Sequence, residues 1–132
     1  MSLTVVAPEL LPPQVKLLVL FGSRANGTAH AYSDWDVGYL GPEILSLADL
    51  AIYGQVAKAL GIPGDRLDLV NLQRSSPLLT YVVAREGKLI FEAEPELFVN
   101  FQTRAWKRYA DAAKFRYWQR QYIQIRLEEW RS

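Results

Sequence analysis

The sequence contains no cysteine, which excludes disulfides and thiolate metal centres and suits a reducing cytoplasm. Its single histidine, His30, rules out a multi-histidine metal site and reads as a polar loop residue, with a nucleotide contact as the alternative. Long apolar runs are missing as well. Segments such as Leu17 to Phe21 are far too short to span a bilayer, and Met1-Ser2-Leu3-Thr4 lacks the basic start of a signal peptide. The expectation is a cytoplasmic protein with no membrane partner. No repeat, low-complexity tract or Gly/Ser linker divides the chain, so its 132 residues read as one domain.

Two further scarcities concern the C-terminal part. Beyond Pro95 there is neither Gly nor Pro, so the tail is expected to form one long helix or two consecutive ones. Between Arg104 and Arg126 stand seven basic residues and one acid, Asp111. Such a segment can face nucleic acid, nucleotide phosphates, an acidic protein or solvent.

What is present is an ordinary globular composition, 50% hydrophobic and 22% charged, in a chain long enough to bury a core. Val15 to Phe21 is a nearly continuous apolar run ending at Gly22, which predicts a buried central strand. Asp36 to Leu40 predicts a second strand, stopped by Gly41-Pro42. Ile44 to Leu60 has apolar residues at helical spacing, with Gly61 as C-cap. Arg66 to Leu72 and Lys88 to Phe91 read as strands. Ser76-Pro77 opens a helix through Val83, with Ser76 as N-cap. Alternating strands and helices with a helical tail predict an α/β sheet domain: a core over residues 1–93 and a helical extension of the same domain over 94–132.

The chemistry is concentrated in Phe21-Gly22-Ser23-Arg24 and the following Ser33-Asp34-Trp35-Asp36. Gly22, lacking a Cβ, lets the chain turn sharply after a buried strand and approach a ligand closely. Ser23 adds a hydroxyl and an N–H where a helix can begin, so the turn can cradle a phosphate. Asp34 and Asp36, two apart at the start of a strand, project to the same side. Their mutual repulsion is relieved by a cation, and oxygen-only ligation favours Mg²⁺. Asp68 is an acid within an apolar strand pattern, where an unpaired charge is costly unless it faces the same metals or a nucleophile's proton. Taken singly, Asp68 also reads as a strand-end acid paired with Arg66 or Arg24, and Asp34 as a cap or turn residue. The four-residue pattern arises by chance in roughly one chain per thousand of this length, so the combined reading is favoured.

Gly22-Ser23 with Asp34-x-Asp36 resembles the signature of the DNA polymerase beta-like nucleotidyltransferases, and the short length resembles their minimal branch. Asp68-Leu69-Val70 is similar to that branch's third-carboxylate strand. Ser75 to Leu79, Val83 to Glu92 and the surroundings of Phe101, Arg104 and Tyr109 resemble MntA-type antitoxins. Asn26, Trp35, Gly38 and Asn71 depart from the usual pattern, at positions that bear on pocket shape and partner choice.

The resemblance implies the nucleotidyltransferase fold, a small mixed sheet flanked by helices with a long helical extension. It also implies a HEPN-domain ribonuclease toxin as partner in a hetero-oligomer, silenced by transfer of AMP from ATP to a toxin tyrosine. Carried over by position, Gly22, Ser23 and Arg24 would hold the nucleotide. Asp34, Asp36 and Asp68 would be the catalytic and Mg²⁺-binding set. Two other readings remain: steric neutralisation of the toxin without catalysis, and a small-molecule acceptor, for which the chain lacks the usual second domain.

The tail aromatics Trp106, Tyr109, Phe115, Tyr117, Trp118, Tyr122 and Trp130 are expected mostly to pack against the sheet. A helix in so small a domain cannot bury both apolar stripes, so the part beyond about Asp111 is expected to meet a partner. Its interleaved arginines can alternatively stack on bases.

Overall fold

The computed structural model describes residues 5, 7–41 and 50–131. The apolar run becomes strand β1 (Leu17–Phe21), buried at all five positions. It is buried on both faces because a separate core packs on each side of the sheet. Strand β2 (Trp35–Leu40) pairs with it antiparallel on one side, Leu17 opposite Leu40 and Phe21 opposite Asp36. Strand β4 (Lys88–Glu92) pairs antiparallel on the other side, with a register shift between Leu18 and Val19. Strand β3 (Leu67–Asn71) runs parallel to β2, giving the order β3-β2-β1-β4. The sheet is therefore mixed, as expected.

A parallel pair requires a crossover, and helix α2 (Leu50–Leu60) lies within the one between β2 and β3. The predicted first part of that helix, residues 44–49, falls outside the described residues, as does Pro42. Its end follows the Schellman pattern: Ile62 N–H donates to Ala57 O at 3.0 Å and Gly61 N–H to Lys58 O at 3.1 Å. Helix α3 (Pro77–Glu86) starts as the sequence predicts, Ser76 Oγ accepting the Leu79 N–H at 3.1 Å, and runs three residues past Val83.

Side-chain alternation along β1 separates two cores. Leu18 and Leu20 meet Val37, Tyr39, Val56, Ala57 and Leu60 on the α2 face. Leu17, Val19 and Phe21 meet Leu72, Val83, Ala84, Phe101 and Ala105 on the opposite face. Phe101 and Ala105 belong to helix α4 (Leu97–Arg131), a single continuous helix. The Glu92 carboxylate accepts the Phe98 N–H at 3.0 Å and so caps its first turn.

The tail corrects one expectation. Trp106, Phe115, Tyr117, Trp118, Tyr122 and Trp130 are exposed, not packed on the sheet. Of the seven aromatics only Tyr109 is half-buried, stacked on Tyr81 with ring centroids 4.3 Å apart. Length is the reason. At 1.5 Å per residue, α4 is about 52 Å long, whereas strands of five or six residues cover less than about 20 Å. Every residue from Ala113 to Arg131 is exposed. Among the described residues, no helix is long and apolar enough to cross a membrane.

Candidate active site

β1 ends at Phe21, beside Asp36 of β2. Gly22 turns the chain with φ +73°, and a Cβ there would lie 2.3 Å from Asp36 Oδ2. Glycine is thus required twice, by the backbone conformation and by the carboxylate against it. The short helix α1 (Ser23–Asn26) begins immediately, capped at its end by Gly27 in the left-handed conformation. A hollow of about 180 Å³ opens beside this turn, lined by Ser23, Arg24, Gly27, Ala29 and Trp35.

Parallel pairing of β2 and β3 sets Asp36 opposite Asp68 in register, so both carboxylates leave neighbouring strands, about 4.8 Å apart, on the same side. The two carboxyl groups are hydrogen-bonded, and Asp34 adds its charge two residues away. Partial burial, then the charges of Asp68 and Asp34, then that hydrogen bond raise the Asp36 pKa. Asp36 is accordingly harder to ionise than a free aspartate. Asp34 and Asp68 themselves are exposed.

No group of three or more His, Cys, Asp or Glu among the described residues is gathered closely enough to hold a metal ion unaided. What is formed is an acid pair with a third acid nearby. That arrangement suits a hard cation taking one or two carboxylates and completing its shell with substrate phosphates and water.

Arg24 and Arg66 both bond to the backbone of the loop before Asp34. Arg24 Nη2 donates to Ser33 O at 2.8 Å and Ala31 O at 3.5 Å, with its guanidinium 4.1 Å over the Trp35 ring. Arg66 pairs with the same backbone, Nη2 donating to Ala31 O at 2.8 Å and Ser33 O at 3.3 Å. Arg66, offered as a partner for Asp68, thus holds the loop before Asp34, and Arg24 holds the same loop while lining the hollow beside the Gly22 turn.

The departing residues have local explanations. A Cβ on Gly38 would lie 2.6 Å from Leu72 Cδ2, so glycine makes room for a buried leucine. Asn71 Oδ1 accepts the Gln73 N–H and forms the turn after β3, and Asn26 Oδ1 accepts from Thr28. His30 is the expected loop residue, its Nδ1 accepting the Tyr32 N–H at 3.2 Å.

Tyr53 is a residue that sequence reasoning missed. Its hydroxyl reaches across from α2 to the carbonyls of Gly64, at 2.7 Å, and Leu67, so it anchors the residue preceding Asp68. Burial, then Asp68, Asp34 and Asp65, raise its pKa. Nothing in the local pattern of α2 marks it, because its partners lie 11 and 14 residues further along the chain.

Comparison with known proteins agrees with this geometry. Residues 10–96 match the family model described as polymerase beta, nucleotidyltransferase. Protein adenylyltransferase MntA of Aphanizomenon flos-aquae is 34% identical over 126 residues, covering 89% of this chain and 84% of that protein. MntA of Shewanella oneidensis is 34% identical over 89 residues, 65% of this chain and 62% of that protein. A crystal structure of a toxin–antitoxin with AMP-PNP superposes with a TM-score of 0.63 at 27% identity, covering 91% of this chain and 94% of that one. A mutant MntA–HpeT toxin–antitoxin structure does so with a TM-score of 0.61 at 27% identity, covering 91% and 93%. The turn, the in-register acids and the matched span all lie within one stretch of sequence and sheet, and the chain belongs to the polymerase beta nucleotidyltransferase family, beside the MntA protein adenylyltransferases.

Proposed function

We propose that this chain transfers AMP from ATP to a tyrosine of a cognate HEPN-domain toxin in the cytoplasm, and thereby silences it. The in-register pairing of Asp36 with Asp68 against the Gly22 turn carries this reading. The MntA relative's name supports a protein acceptor, and AMP-PNP in a protein of the same fold supports ATP as donor. The HEPN class and the acceptor tyrosine rest on the resemblance of residues 75–92 and of the tail.

Gly22 and Ser23 face the triphosphate, where a turn without a Cβ and a helix-opening N–H accommodate anionic oxygens. Asp34, Asp36 and Asp68 are the residues that would hold Mg²⁺. When bound, the ion would screen the phosphates and stabilise the charge that develops on them. The tyrosine oxygen attacks the α-phosphorus, and the bond from that phosphorus to the β-phosphate's bridging oxygen breaks. Pyrophosphate leaves, and the tyrosine proton passes to Asp68. Asp68 suits this role because it is exposed on edge strand β3, within reach of a side chain from another protein. The exposed helix from Ala113 to Arg131 is assigned to binding the toxin.

The test is incubation with the neighbouring gene's product, labelled ATP and Mg²⁺. Label is expected on a toxin tyrosine, and its absence, or its persistence in the Asp34→Ala/Asp36→Ala double variant, defeats the proposal.

A further inference from the structure

Two cations from different elements grip the same two backbone oxygens. The short bond of Arg24 goes to Ser33 O and that of Arg66 to Ala31 O, and each makes a longer bond to the other's main acceptor. Both guanidinium groups lie over aromatic rings, Arg24 over Trp35 at 4.1 Å and Arg66 over Tyr32 at 5.9 Å. Arg24 Nε is buried with no hydrogen-bond partner among the described residues.

Bringing two like charges together is unfavourable, and carbonyls on an exposed loop can be satisfied by water. Satisfaction of the oxygens therefore does not explain the arrangement. What the pair does accomplish is order. Ser33 O belongs to the peptide unit that leads into Asp34, so fixing that oxygen fixes the plane from which the Asp34 Cα departs. The ring contacts hold each planar fork in one orientation, which an ammonium group does not require.

The origin of the two arginines points the same way. Arg24 stands two residues after Gly22, and Arg66 stands two residues before Asp68. The clamp thus ties together the turn, the Asp34 loop and the lead-in to the third acid, the three segments that make the site. We infer that Arg24 and Arg66 are positioning residues: by clamping the backbone of residues 31–33 they hold Asp34 where it faces Asp36 and Asp68. The inference deepens the proposed function, because it rests on Asp34 being a metal-facing carboxylate.

The experiment uses the full chain with Arg24→Met, Arg66→Met, their double variant and the two Arg→Lys variants. Amide exchange over residues 28–34, Mn²⁺ affinity in the presence of AMP-PNP by electron paramagnetic resonance, and AMP-transfer kinetics are measured. Exchange in that segment is expected to rise in each single variant and to rise more than additively in the double, because the two forks share acceptors. Mn²⁺ affinity is expected to fall roughly tenfold, the scale seen for groups that orient metal ligands. kcat should fall more than the KM for ATP rises. The Lys variants should behave like the Met variants, since a point charge does not bridge two carbonyls while lying flat on a ring.

Unchanged exchange and Mn²⁺ affinity in the single and double Met variants overturn the clamp. So does full rescue by lysine, which would make charge rather than the fork the agent. A rise confined to the KM for ATP in Arg24→Met, with loop exchange unaltered, overturns it by making Arg24 a nucleotide contact. If the parent transfers no AMP while exchange and Mn²⁺ affinity move as expected, the clamp stands and the proposed function falls.

Discussion

Asp36 is placed where its neighbours resist its ionisation: it is partly buried, faces Asp68 in register and lies two residues from Asp34. Its folded pKa is raised, so the folded protein holds this proton more tightly than the unfolded chain. The associated stability is present at low pH and is lost as pH rises from about 4, the ordinary aspartate value, through the raised folded value. Asp36→Asn removes that loss. In EDTA it should raise Tm at pH 7, by a few degrees at most, and flatten the dependence of Tm on pH, as thermal melts at a series of pH values will register. The same substitution should lower AMP transfer by roughly 100-fold or more, on the scale of removing one preorganised group that stabilises a transition state. Cation binding favours the ionised carboxylate, so divalent-metal affinity should increase with pH as Asp36 ionises.

At the scale of elements, the acids are only as well placed as the strands that carry them. β3 is an edge strand, and Tyr53 of α2 holds the carbonyl of Leu67, the residue before Asp68. α3 is started by Ser76, and behind the cap the Ser75 and Thr80 hydroxyls lie 2.6 Å apart while Arg108 Nη1 donates to Ser75 O at 3.1 Å. Ser76→Ala removes the acceptor for the Leu79 N–H and should cost about 1 kcal/mol, measured by urea unfolding with an unchanged m-value. Transfer activity should survive, because Ser76 follows the Asn71 end of β3, whereas Asp36 and Asp68 stand near the starts of β2 and β3.

For the whole molecule, the decisive proportion is a helix of about 52 Å on a sheet of four short strands. Phe101 and Ala105 belong to the core, so the packed body continues into the helix past residue 93. Beyond Ala112 every described residue is exposed, among them Phe115, Trp118, Tyr122 and Trp130. An apolar surface of this kind marks an interface. Deletion after Ala112 should leave the cooperative melt of the body nearly unmoved while toxin binding, followed by calorimetry, is lost. Retained binding would remove the tail from the interface.

The sequence by itself determined most of the elements and the family, because these depend on local order and on short motifs. A continuous apolar run marks a strand buried on two faces, Ser76-Pro77 marks a helix start, and Asp34-x-Asp36 marks two acids at the entry to a strand. Three matters were decided only by the tertiary structure, since each depends on which distant segments meet. The register of β2 with β3 set Asp36 against Asp68. Arg24 and Arg66 converged on the carbonyls of Ala31 and Ser33. The small extent of the sheet left the tail aromatics in solvent, because periodicity can mark an apolar face on a helix but cannot say whether a surface exists to cover it.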